Sequence, residues 1–428
     1  MSVRPEIIRL MTRRESRSLT LSADDYSMWV LDWEAHEIRI VMQTGEQHVA
    51  PMDSGMRRPS NEISRTSFDW DRWWLSTETK KGHLVFSEVW SPVGDPIKGR
   101  PSVYLDQNHW STVAKTVVKP ESVSQADRTA ARRIIKLGSD GGIRLPLSSA
   151  TMQETAALFG DRRYEVGIVI ASLSGGWQLR DPLELRRQEF ATWFAEHLSI
   201  KAAIVNTDAV TLEPRSVFGD RVESAASNKL SESMRKFMDA VTWPSVLVSM
   251  LIDPEPIAGV PPTRWADSNG EIAQWVASLT REQRASATTL AAIRDNEGLM
   301  ASALSLIGAP SMLVGGLEPQ EIADAVSRTR FGGLYTAVMA ERQRDPNRRW
   351  LSNDLNDIMF LTCAAAYCDY VAAERSTGRQ LTQLLTRRSG SSNVFTTLPD
   401  LVEALERDGV RCVSEQLNSK PSGGVGET

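Results

Sequence analysis

The chain has 428 residues, 41% of them hydrophobic and 24% charged, an ordinary globular balance with room for two or three domains. Its formal net charge of −5 excludes a global basic field, so a polyanion would have to be met by a local basic patch. Three irregularly spaced cysteines, Cys363, Cys368 and Cys412, argue against a disulfide framework or a zinc site and fit a reducing cytosol. The opening run "MSVRPEIIRLMTRRESRS" has no long apolar stretch after its arginines, so no signal peptide or membrane span is expected, and the expected location is cytoplasmic.

In chain order, "SMWVLDWEAHEIRIVMQTG" (Ser27 to Gly45) reads as two short strands with a polar break, and "KKGHLVFSEVW" (Lys80 to Trp90) as another. Between them Trp70, Trp73 and Trp74 fall close together and are expected to share one small core. Residues 1–98 thus read as a small β-rich, Trp-rich domain, closed by the Pro/Gly-containing "SPVGDPIKGRP" (Ser91 to Pro101). From there the pattern becomes α/β. "SVYLD" (Ser102 to Asp106) reads as a buried strand and "NHWSTVAKTV" as the start of a helix. "ADRTAARRIIKLGSDGG" reads as an amphipathic helix, "IRLPLS" as a second strand, and "SSATMQETAALFG" (Ser148 to Gly160) as a Ser-capped helix. Residues 161–340 read as mostly helical, including "DPLELRRQEFATWFAEHLSI" and "ADAVSRTRFGGLYTAVMAERQR", with a Pro-rich break at "LIDPEPIAGVPPTRWADSNG". A helix from about Asp354 to Tyr367, the strand "DYVAAE", and "NVFTTLPDLVEALERDG" as a last strand and helix complete the pattern. The tail, residues 416–428, has the composition of a disordered segment.

The acids fall at telling places in this pattern. Ligands of open α/β sheets bind at the carboxyl ends of parallel strands. Asp106 and Glu374 end two strands, Asp354 and Asp357 open a helix, and Glu154 lies one to two turns into another. Carboxylates gathered without a basic partner repel, and Mg²⁺ or Mn²⁺ relieves that with oxygen coordination. Each acid also has a purely structural use. Asp106 and Asp354 can cap helices, Asp357 suits a first helical turn, Asp369 can flank its strand, and Glu154 and Glu374 can be solvated. Order and placement together carry the metal reading.

"VYLDQNHWS", "LPLSSATMQET" and "SNDLNDIMFLTCAAAYCDYVAAER", taken in that order, resemble the PIN-domain nucleases. The resemblance runs over about Ser102 to Asp408 and implies an α/β, PIN-like, parallel-sheet three-layer domain made of residues 99–160 and 341–415, with 161–340 as a helical insertion. Asp106 matches the family's first acid and Glu154 the second. Asp354 or Asp357 matches the third, and Glu374 or Asp369 the last. The insertion of roughly 180 residues exceeds an ordinary loop, and Glu374 is longer than the usual aspartate. The resemblance implies a metal-dependent endonuclease, most often acting on RNA, in which metal-held water attacks a phosphodiester. Asn108 would then orient water or phosphate.

A phosphate-facing surface should be basic. "ERQRDPNRRWLSND" places Arg342, Arg344, Arg348, Arg349 and Trp350 just before the acids, where they can hold phosphate and stack a base or simply form a solvated helix end. Arg348 and Arg349 are the chosen candidates, and Arg180, Arg186 and Arg187 are weaker ones. Trp177 reads as core. Two other readings fit the same residues. One is a catalytically silent PIN-like scaffold for nucleic acid or protein. The other is a toxin-like or anti-phage effector nuclease acting on DNA. RNA, or single-stranded DNA, is the expected partner, with no membrane. A protein partner would sit at the N-terminal domain, and self-assembly stays open.

Overall fold

The computed structural model describes residues 25–52, 58–91, 99–201, 208–221, 232–255 and 263–415. Six strands open the described chain: β1 (Tyr26–Asp32), β2 (Glu37–Met42), β3 (Gln47–Pro51), β4 (Ile63–Asp69), β5 (Trp74–Thr79) and β6 (Leu84–Glu88). They form one antiparallel sheet in the order β3-β2-β1-β4-β5-β6. The alternation that makes such strands is plain in β5, where Leu75, Thr77 and Thr79 are buried and the intervening residues are not. Three of the six, β3, β4 and β5, have no counterpart in the sequence reading, because Ser, Thr and Arg dilute the apolar alternation of β4 and β5 and β3 is the short, polar-led QHVAP.

This sheet is packed against the rest of the molecule. Two helices cover it, α4 (Gly160–Ser174) and α6 (Glu232–Ile252). Phe237 of α6 stacks on Trp70 at 5.5 Å. The Thr77 hydroxyl meets that of Ser245 at 3.1 Å, and the Thr79 hydroxyl meets the Tyr164 hydroxyl at 2.7 Å. The expected tryptophan cluster is divided. Trp70 and Trp73 pack around Phe68 and Phe237, while Trp74 is exposed beside Phe86 on the opposite face. The turn between β4 and β5 causes the split. Trp73 takes a positive φ of 59°, and the chain turns over as Asp69 accepts from the N–H groups of Asp71 and Arg72.

A second, parallel sheet is formed by β7 (Val103–Leu105), β10 (Tyr370–Ala372) and β11 (Val394–Phe395), in the order β11-β10-β7. The expected strand "IRLPLS" is reduced to two parallel bridges, Ser102 to Arg144 and Leu147 to Gln178. Pro146 has no N–H and interrupts any ladder there. Through Leu147 the array continues to β8 (Gln178–Leu179), which pairs antiparallel with β9 (Val210–Thr211).

The remaining helices are α1 (Gln107–Val118), α2 (Gln125–Ser139), α3 (Ser149–Ala156), α5 (Pro182–His197), α7 (Thr263–Ser278), α8 (Arg281–Leu306), α9 (Pro319–Arg328), α10 (Arg330–Gln343), α11 (Asp354–Tyr367), α12 (Arg375–Ser389) and α13 (Leu398–Arg407). Because side chains alternate across β7, Val103 and Leu105 join one core with α1, α2, α4 and α13. Tyr104 joins the other, with α10 and α11. The sheet is therefore sandwiched between helical layers in a mixed α/β fold. A third core binds α5, α8 and α9 together. The region read as an insertion thus divides, with α4 and α6 in or against the first core and α5, α8 and α9 forming their own.

One expected helix is two. "ADAVSRTRFGGLYTAVMAERQR" breaks at Thr329, which is extended (φ −71°, ψ 137°). Glu189 of α5 accepts from the N–H groups of Phe331 and Gly332, which starts α10 afresh. Helix α12 has no counterpart in the sequence reading, because Ser, Thr and Gly378 weaken its signal. Gly378 is needed for packing, since a Cβ there would come within 2.9 Å of the Thr396 methyl carbon.

Candidate active site

Two neighbouring parallel strands each end in an acid that starts the next helix. Asp106 follows β7, and its N–H continues the ladder to Ala372 O at 3.0 Å. Its Oδ1 accepts from His109 N at 3.0 Å, so it is the N-cap of α1. Glu374 follows β10 and caps α12, accepting from Thr377 N at 2.6 Å and Ser376 N at 3.0 Å. The capping use open to Asp106 is therefore real, and it fixes the carboxylate at the strand's carboxyl end.

Two helices bring the other acids. Asp357 stands in the first turn of α11. Glu154 stands in the second turn of α3, which begins at Ser148 with its Oγ accepting from Thr151 N. Asp106, Glu154, Asp357 and Glu374 line one cleft of about 150 Å³. Its floor is Tyr104, Phe360 and Leu361, and Asn108, Gln107 and Asn356 supply amides. Asn356 also reaches Gln153 at 3.3 Å, joining α11 to α3. None of the lining residues is Lys or Arg.

That charge imbalance is visible in proton affinities. Burial, with the fields of Asp357 and Asp106 added, pushes Glu154 up to about 7. Burial, with Glu374, Asp106 and Asp354, pushes Asp357 up to about 6. Asp106 is also raised by burial, in part offset by His109, whose ring Nε2 lies 3.9 Å from Asp106 Oδ1. Glu374 goes the other way. Burial works against its charge, but the N–H groups of Thr377 and Ser376 outweigh it and the net shift is downward. The Glu154 and Asp357 carboxylates have no hydrogen-bond partner among the described residues, in contrast to Asp106 and Glu374.

The other candidates are placed elsewhere. Asp354 does not line the cleft: Arg342 Nη1 holds its Oδ1 at 2.9 Å, and its Oδ2 accepts from Leu351 N at 2.8 Å. Between Asp354 and Asp357, the second is the cleft residue. Asp369 sits at the opposite ends of the strands, its Oδ2 accepting from Ser102 N and Oγ, each at 2.7 Å. Between Asp369 and Glu374, the second is the cleft residue. Arg348 reaches Ser376 Oγ at 3.0 Å, beside Glu374, and Arg349 is exposed. Trp350 is half-buried and packed edge-to-face on Trp265 at 5.5 Å. Arg180, Arg186 and Arg187 are each tied to a carboxylate, of Glu213, Asp295 and Glu184 respectively. Trp177 is buried, as its reading as core implies, with Nε1 on Glu88 Oε1.

Sequence reasoning missed Asn356, Gln107 and Tyr104, and it named Arg342 as a phosphate candidate where the structure buries it against Asp354. Asn356 had a signal, since it stands beside Asp357 in "NDLND". The others are identified only by the packing around them.

Among the described residues no three His, Cys, Asp or Glu side chains already converge as the ligands of one ion. The donor chemistry nonetheless fits a hard divalent cation. All four cleft acids offer carboxylate oxygen, and three hold protons more tightly than usual, first through burial and then through their mutual repulsion. Magnesium commonly binds through one or two carboxylates and several waters, which this cleft can provide. No described helix is long and apolar enough to cross a membrane. No protein-family model, curated protein or solved structure matches this chain.

Proposed function

We propose that this chain is a PIN-like, metal-dependent endonuclease that hydrolyses phosphodiester bonds, with RNA as its substrate. The observation that carries the reading is the convergence of Asp106, Glu154, Asp357 and Glu374 on one cleft with no lysine or arginine among its walls. A polyanion would not approach that cleft unless a cation were bound. Mg²⁺ or Mn²⁺ held there would lower the pKa of a bound water and take up charge on the phosphate.

The protein's own groups divide the remaining work. Asp106 and Glu374 are held by backbone N–H donors, so they would be the rigid ligands. Asp357 completes the set from α11. Glu154 has no hydrogen-bond partner among the described residues and is held up to about 7 by burial and its neighbouring acids, so it would accept the proton of the attacking water. Asn108 and Asn356 offer neutral amides to the substrate, and Arg348 and Arg349 meet backbone phosphates outside the acidic wall.

The test uses purified chain with end-labelled single-stranded RNA and the DNA of the same sequence. Cleavage of RNA in Mn²⁺ that stops in EDTA and in Asp106→Asn supports the reading. Cleavage of DNA alone moves the substrate to DNA. Binding of either without cleavage, at every metal tried, makes this a silent scaffold.

A further inference from the structure

A larger groove, of about 410 Å³, lies away from the acids between α8, α9 and α10, with the end of α12 at its rim. Its volume falls within the range of small-molecule sites. The floor is built from small residues on three helices, Ala292, Ala323, Ala337 and Ala340 among them. A guanidinium stands at each end. Arg388 is at one end, beside Gly333, where a Cβ would lie 3.3 Å from Arg388 Nη2. Arg344 is at the other, with Nη2 on Thr288 Oγ1 at 3.2 Å. Eleven helical residues separate Gly333 from Arg344, which is about 16 Å along α10.

The charges here are not balanced. Arg388 has no partner among the described residues. It lies over the first turn of α10, at the positive end of that helix's dipole. The one acid of the groove, Asp324, is already paired with Arg328 at 2.9 Å. Thr336, between the two arginines, has a hydroxyl with no partner among the described residues. An elongated ligand with an anionic end, a flat uncharged body and hydrogen-bonding edges satisfies all of these groups.

We propose that this groove is a binding site for a nucleoside phosphate. Its phosphates are held by Arg388 at the start of α10, its base lies on the alanine floor, and Thr336 and Arg344 meet the base end. The site is separate from the carboxylate cleft and does not depend on the nuclease reading.

The probe is ATP, titrated calorimetrically into the full chain in EDTA, so that no metal can hold it in the acidic cleft. Saturable binding is expected. Arg388→Ala, a change at an exposed position, should weaken it by about tenfold or more. Ala323→Phe, which fills the groove, should abolish it, with melting curves showing that both variants are folded. Asp106→Asn should leave it unchanged. Inorganic tripolyphosphate should bind more weakly than ATP. Absence of saturable binding at millimolar ATP overturns the proposal. So do equal affinities in wild type, Arg388→Ala and Ala323→Phe, a loss in Asp106→Asn, or tripolyphosphate binding as tightly as ATP.

Discussion

Replacing Asp357 by Asn should stabilise the metal-free protein, and only above mildly acid pH. The carboxyl is raised from its ordinary 3.8 to about 6, which corresponds to roughly 3 kcal/mol against the ionised folded state. Asp357 is half-buried and solvent screens part of this, so about 1–2 kcal/mol is expected. Below about pH 4 the carboxyl is protonated in folded and unfolded chains alike and costs nothing. Between there and pH 6 the unfolded chain gives up the proton while the folded one keeps it, so stability falls as pH rises. Above pH 6 the full cost is present. The amide removes that cost. If the 428 residues unfold together, the gain is a rise in Tm of about 1–2 °C at pH 8, vanishing by about pH 4. The assay is calorimetry in EDTA across that range, repeated with Mn²⁺, which should raise the Tm of wild type more than that of the variant. An Asp357→Asn variant that melts below wild type at pH 8 would refute the reasoning. It would mean that the charge serves the first turn of α11 through the helix dipole.

Other outcomes follow from the same geometry. Asp106→Asn and Glu374→Gln should each lower the rate of RNA cleavage by about 100-fold in saturating Mn²⁺, whereas unchanged rates would remove these two acids from the chemistry. Arg342→Met strips the partner from Asp354 in a buried pair and should cost about 3 kcal/mol in urea unfolding; a loss below about 1 kcal/mol would show the pair to be incidental. Arg348→Ala and Arg349→Ala should weaken binding of all sequences alike and reduce the salt slope by about 1 each, while a sequence-dependent loss would indicate base readout. A chain beginning at Gly99 uncovers Phe237, Val241 and Tyr164 and should aggregate or melt early. Unchanged melting would show that α6 does not need the sheet.

The acids are legible in the sequence where local rules are enough. A strand ending in an acid recurs at Asp106 and Glu374; the helix start after Asp106 is legible too, while the helix that Glu374 caps is not. The choice between Asp354 and Asp357 is not legible. It is decided by Arg342, which projects from α10 and neutralises one of the two. The choice between Asp369 and Glu374 depends on which end of β10 each occupies, and the structure places Ser102 against Asp369 at the far end. The break at Thr329 depends on Glu189, 142 residues before Phe331, and no window of local sequence contains it. The second strand misleads because its apolar pattern is genuine while Pro146 denies it a ladder. Local pattern shows what a segment prefers, and distant partners decide which preference is used.

The parallel sheet has a consequence for how the molecule comes into being. Its central pair joins β7 to β10, and the Ser102–Asp369 latch spans 267 residues of chain. During synthesis β7 emerges long before its neighbour exists. At ordinary ribosomal speed the wait is roughly 15–50 s. Through that interval Val103 and Leu105 have no neighbour on the β10 side, and α1 can form and pack only on elements already made. The four acids come from both ends of this span, so the cleft closes last. A ribosome-bound chain that stops short of Glu374 has no complete acidic cleft, and on the proposed reading it should show no cleavage. Closure over so long a loop is also slow in refolding, and recovery of activity should lag behind recovery of helical signal after dilution from urea.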